Sequence, residues 1–192
     1  MDALIVSTAV VAIAEIGDKT QLLALMLAAR YGRPLPITAG ILLATLANHA
    51  LAALVGLSVA SLLDPALLRW LLGLSFLAMA GWALVPDRPE DADGRLRRLG
   101  AFAATLISFF LVEMGDKTQI ATVALAARYH TAAWVTAGTT LGMLIANLPV
   151  VLMGGLAAKR LPVRALRLVA ALLFAGLGVA TLAGPWLAGL AG

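Results

Sequence analysis

Long apolar runs dominate the chain, and short polar clusters punctuate them. Six runs can be drawn, at about 3–29, 36–60, 66–85, 100–127, 132–157 and 164–188. A helix needs about 20 apolar residues to cross a hydrocarbon core, so each run is long enough. None shows the strict alternation of barrel strands. Without water at depth to satisfy the backbone, helices are the remaining solution. The breaks carry turn and stop residues: Arg30-Tyr31-Gly32-Arg33-Pro34, then Asp64-Pro65, and at the far end Gly184-Pro185-Trp186. One stretch, 86–98, is hydrophilic, and its four acids and four arginines cancel. The pattern predicts an all-α integral membrane protein with six transmembrane helices.

The polar interruptions recur. Glu15-Ile16-Gly17-Asp18-Lys19-Thr20 returns 98 positions later as Glu113-Met114-Gly115-Asp116-Lys117-Thr118, each followed by glutamine, Gln21 and Gln119. At the same offset Ala28-Ala29-Arg30-Tyr31 matches Ala126-Ala127-Arg128-Tyr129, Thr38-Ala39-Gly40 matches Thr136-Ala137-Gly138, and Phe76 matches Phe174. Asn48 and Asn147 are one position out of register. The chain therefore reads as two three-helix repeats, 1–85 and 100–192, joined by a linker at 86–99. Three spans per repeat is an odd number, so the second repeat enters from the opposite face. That is the inverted-topology design of many secondary transporters, with a site at the midplane between the halves.

Composition supports the membrane reading. The chain is 62% hydrophobic and 12% charged, against about 45–50% and about 25% in soluble domains. The pI near 10.1 could point to nucleic acid, but the net charge is only +4. The bases lie instead beside apolar segments. Ten fall on one side: Arg30, Arg33, Arg88, Arg95, Arg97, Arg98, Lys159, Arg160, Arg164 and Arg167. Arg69 and Arg128 fall on the other. By the positive-inside rule the linker is cytoplasmic and both termini are outside. The start lacks the basic region of a signal peptide, so the first helix is expected to be retained, and the location expected is the cell (inner) membrane. The absence of cysteine removes disulfides, thiolate ligands and dithiol redox chemistry.

Charged groups inside apolar runs are costly, at about 2.5–3.5 kcal/mol each on insertion scales, so the repeated hexapeptide is the candidate site. On a continuous helix Glu15 and Asp18 share a face, with Lys19 on the same arc. Both glutamates lie about 12 residues deep, about 18 Å at 1.5 Å per residue, near the bilayer middle. Two antiparallel halves would bring four carboxylates to one depth, around one cavity or two adjacent ones. Glu15, Asp18, Glu113 and Asp116, with Thr20, Thr118, Gln21, Gln119, Asn48 and Asn147, form an all-oxygen ligand inventory. Such a set suits Ca²⁺, Mg²⁺ or Mn²⁺. Each motif sums to −1 when ionised, so the pair balances one divalent cation or two protons. The expectation is cation–proton exchange, with the acids as ligands and proton carriers.

Blander readings stand beside these. A Glu–Lys pair at i, i+4 could merely pack, though that leaves Asp18 and Asp116 unexplained. Lys19 and Lys117 could hold the carboxylates or replace the departing cation. The threonines could bond back to their own helix. Asn48 and Asn147 could be interhelical hydrogen-bond glue, and the glycines and alanines, including Gly138-x-x-x-Gly142, read as close-packing surfaces. His49 reads as a satisfied membrane histidine, with a ligand or proton-relay role as its alternative, and His130 as a loop residue. Gly17 and Gly115 could break the motif helices or only kink them.

Twin Glu-x-Gly-Asp-Lys-Thr motifs in a six-span inverted repeat resemble the Golgi-type manganese/calcium–proton exchanger family, placed in the lysine-exporter superfamily. The resemblance covers essentially the whole chain and implies export of Mn²⁺ or Ca²⁺ from the cytosol against protons. It puts Glu15, Asp18, Glu113 and Asp116 at the ion site. The metal is then cargo, no cofactor is required, and the chain is a transporter rather than an enzyme. Its surroundings are the lipid bilayer, with no nucleic acid, and it acts as a monomer or homodimer. Alternatives are an exporter of an organic cation or amino acid, disfavoured by 6% aromatic content, a passive cation channel, and a non-transporting subunit.

Overall fold

The computed structural model describes residues 1–85, 99–153 and 163–190, with the side chains of 164–183 in the last of these. Eight α-helices and no strand occur among the described residues. They are α1 (Asp2–Glu15), α2 (Lys19–Tyr31), α3 (Pro34–Leu62), α4 (Pro65–Ala83), α5 (Ala101–Glu113), α6 (Lys117–Tyr129), α7 (Ala132–Met153) and α8 (Val163–Leu190). The expected hydrophilic linker and the basic turn around Lys159 and Arg160 lie outside the described residues.

Local chemistry sets the ends. Asp64 caps α4, its carboxylate accepting from the Ala66 and Leu67 N–H groups at 3.0 Å, with Pro65 in the first turn. That pairing satisfies orphan donors and supplies a preset φ. Proline also opens α3. α2 ends on Gly32 in the left-handed region, its N–H donating to Ala28 O at 3.0 Å. Its repeat partner His130 ends α6 in the same conformation, φ 51°.

Four helices, α3, α4, α7 and α8, are long and apolar enough to cross a membrane. Their amphipathy is reversed relative to a soluble helix. On α3, Leu43, Leu51 and Leu54 face outward while Thr45, Asn48 and His49 are fully buried. Lipid tolerates the leucines and the interior must satisfy the polar groups. The remaining helices, at 13–14 residues, are individually too short to span. The runs expected as continuous at 3–29 and 100–127 are each two helices, broken at the motif.

Contacts run between the halves. α1 packs on α7 and its counterpart α5 on α3; α2 meets α7 and α6 meets α3; α4 lies against α8. Phe76 and Phe174, repeat partners, are both buried in one apolar cluster. α1 and α7 approach through glycine. A Cβ on Gly138 would lie 2.6 Å from Leu4 O, and one on Gly142 2.7 Å from Thr8 O. At the repeat-related contact of α3 with α5, a Cβ on Gly40 would lie 2.7 Å from the Thr105 Cβ, matching the 2.9 Å from Gly138 to the Ser7 Cβ.

Candidate functional site

The motif is a helix break, built the same way twice. α1 stops at Glu15, Ile16 is extended, Gly17 takes φ 82°, and Asp18 caps α2. α5 stops at Glu113, Met114 is extended, Gly115 takes φ 76°, and Asp116 precedes α6. Only glycine adopts this positive φ without strain. The Asp18 N–H still reaches Glu15 O at 3.0 Å, and Asp116 reaches Glu113 O at 3.1 Å. Gln21 Oε1 accepts from the Gly17 N–H at 2.9 Å, and Gln119 Oε1 from the Gly115 N–H at 2.6 Å. The glutamines thus close the turn, a reach-back akin to a capping box. This corrects the expectation that Glu15, Asp18 and Lys19 share one continuous helical face: the left-handed glycine redirects the chain between them.

Redirection sets the pairing. Lys117 Nζ lies 2.8 Å from Asp18 Oδ2, and Lys19 Nζ lies 3.3 Å from Asp116 Oδ1. Each motif's lysine therefore meets the other motif's aspartate. Glu15 and Glu113 are fully buried. One oxygen from each of Glu15, Glu113 and Asp116 lies within 4.8 Å of the other two. Asp18 is not part of that triad. The Thr20 hydroxyl donates to Glu15 Oε2. The Thr118 hydroxyl reaches Glu113 Oε2 at 3.1 Å and Asp116 Oδ2 at 3.4 Å. Oε1 of both glutamates is buried without a hydrogen-bond partner. Three acids at this spacing can coordinate a divalent cation through oxygen.

The other sequence candidates divide. Gln119 Nε2 donates to Asn48 Oδ1 at 2.8 Å, and Asn48 Nδ2 to Phe110 O at 3.3 Å, so Asn48 ties α3 to α5 and the second motif. Gln21 Nε2 donates instead to Ala146 O on α7 at 2.9 Å. Asn147 bonds back to Met143 O at 3.0 Å and contacts neither motif by hydrogen bond; its Oδ1 is buried without a partner. His49 reads from the sequence as an ordinary membrane histidine, yet its Nε2 lies 3.5 Å from Glu113 Oε2, with both residues fully buried. Its place next to Asn48 in the chain is the one sequence signal for it. His130 ends α6, at the far end of that helix from the second motif.

The sequence has clear relatives. The profile of the family described as "Divalent cation/proton antiporter GDT1" matches residues 3–91 and 101–188. The chain belongs to the GDT1 divalent cation/proton antiporter family. A Vibrio cholerae protein named "Putative manganese exporter" is 55% identical over 94% of this chain and 90% of its own length. "GDT1-like protein 3" from Oryza sativa and from Arabidopsis thaliana are each 28% identical over 94% of this chain, covering 73% and 70% of their lengths. No solved structure matches. Membership makes this a membrane transporter of the cation-exchanger class, and both blocks matched to GDT1 contain one complete motif.

Proposed function

We propose that this chain exports a divalent cation, Mn²⁺ or Ca²⁺, from the cytosol in exchange for protons, with Glu15, Glu113 and Asp116 holding the ion. One observation carries the reading. Two glutamates from two helix breaks are buried side by side, each keeping one oxygen without a hydrogen bond. The cross pairs offset Asp18 with Lys117 and Asp116 with Lys19, leaving two negative charges on the glutamates. One divalent cation or two protons neutralises them, and burial makes neutralisation obligatory. Mutually exclusive occupancy by cation and protons is the basis of exchange. The name of the Vibrio cholerae relative favours Mn²⁺ as cargo.

In this reading α1 with α2, and α5 with α6, are two interrupted spans. Their 14 and 13 residues, and 13 and 13, reach about 40 Å in each case at 1.5 Å per residue. Six crossings follow, three in each of the repeats 1–85 and 100–192, with opposite orientation. The exchange of partners between α1·α7 and α5·α3 supports this, as does the family match in two blocks. The arginine distribution supports a cytoplasmic linker at 86–99 and external termini. Broken helices meeting near midplane are a recurring transporter device. Rocking of the halves about the acids would alternate access, in a monomer or in each unit of a homodimer.

The test is Mn²⁺ binding to the purified chain, followed by loss of the free-ion magnetic resonance signal. Glu15→Gln and Glu113→Gln should each weaken binding at least about tenfold, about 1.4 kcal/mol. Unchanged binding in both variants would contradict the assignment.

A further inference from the structure

The two half-sites are not equal. Glu15 has the Thr20 hydroxyl; Glu113 has the Thr118 hydroxyl and, in addition, the imidazole of His49. With Asn48 aligned on Asn147, the repeat partner of His49 is Leu148. Leu148 is only half-buried and lines an apolar groove with Leu144, Ile145 and Pro149. One half therefore carries a nitrogen donor where the other carries a hydrocarbon.

His49 is fully buried, and neither ring nitrogen has a hydrogen-bond partner. Buried polar atoms without partners are uncommon and call for a cause. Nε2 faces Glu113 Oε2 at 3.5 Å. On a six-coordinate ion with bonds of about 2.1–2.5 Å, neighbouring ligand atoms are about 3.0–3.5 Å apart and opposite ones about 4.2–5.0 Å. The His49–Glu113 separation suits two neighbouring ligands. One oxygen from each of the three acids lies within 4.8 Å of the other two, a span that suits one shell, and His49 lies outside that group and reaches it through Glu113.

We infer that His49 is a ligand to the transported cation through Nε2, and that it sets the site's preference for Mn²⁺ over Ca²⁺. This rests on the cation site proposed above. Ca²⁺ and Mg²⁺ take oxygen ligands, whereas first-row transition ions also accept imidazole. A single nitrogen among carboxylates keeps a hard site usable by Mn²⁺ and removes one oxygen that Ca²⁺ would use.

The chain has only two histidines, His49 and His130, so isotopic labelling is clean. The experiment uses the full chain with ¹⁵N-histidine, loaded with Mn²⁺ and read by electron spin-echo spectroscopy, in wild type, His130→Gln and His49→Leu. Competition of Mn²⁺ against Ca²⁺ is measured alongside. The expected result is ¹⁵N coupling in wild type and His130→Gln, lost in His49→Leu. The Mn²⁺/Ca²⁺ preference should fall about tenfold in His49→Leu. Bound Mn²⁺ without histidine coupling in wild type overturns the ligand assignment and leaves the carboxylate site standing. Coupling with an unchanged preference in His49→Leu overturns the selectivity role. No Mn²⁺ binding by wild type removes the cation site and this inference together. The wild-type spectrum needs no variant to fold.

Discussion

At the scale of single residues, the glycines and glutamines of the motif do the shaping and the acids inherit the result. Gly115 takes φ 76°, and a Cβ there would meet nothing within 4 Å. The cost of substitution is therefore backbone strain alone. Gly115→Ala should destabilise by about 1–2 kcal/mol, with Gly115→Asn costing less, read as thermal melting in detergent. Equal melting of Gly115→Ala and wild type would contradict the left-handed turn. The position of the acids as the buried polar centre was legible from the sequence, because charges inside an apolar run are costly and stand out. His49 was legible only as the lesser of two readings: a lone histidine carries no spacing signal, and its contact with Glu113 depends on how α3 packs against α5. Asn147 shows the reverse. Its repeat relation to Asn48 suggested a shared role, but it bonds back to its own helix at Met143.

At the scale of elements, the broken spans decide who pairs with whom. The sequence held the signs of a break, glycine followed by aspartate and then a good helix start. The apolar residues continue on both sides, however, so periodicity alone does not end the helix. Once it ends, Lys19 and Lys117 point across the interface between halves. Removing one member of a buried pair costs about 3–5 kcal/mol, and removing both recovers much of that. Lys117→Met alone should be strongly destabilising, and Asp18→Asn with Lys117→Met substantially less so. A double-variant cycle on melting measures the coupling. Strict additivity of the two changes would contradict the cross pair. The repeat's glycine contacts, Gly138 on Ser7 and Gly40 on Thr105, were expected as close packing, and the helices meet there.

At the scale of the whole molecule, two related halves exchange helices across one buried acidic centre. The membrane class and the family were legible from hydropathy and the doubled motif, because both are written in local sequence. The cross-half partnership was not, since it arises only from packing. Orientation is testable directly. A reporter active only in the cytoplasm, fused near Asp93, should give signal, while the same reporter at the C-terminus should not; the opposite pattern would invert the topology.

The central claim is exchange, and its most direct measurement is flux. Purified chain in liposomes, with an imposed pH gradient and a Mn²⁺-sensitive dye inside, should take up Mn²⁺ as protons leave. Uptake should stop when the gradient is collapsed, and in the Glu15→Gln, Glu113→Gln double variant. Balancing two glutamate charges against one divalent cation predicts two protons per ion. Clamping the membrane potential should then leave the rate unchanged. Mn²⁺ entry that ignores the pH gradient and follows the membrane potential would contradict the account and describe a channel.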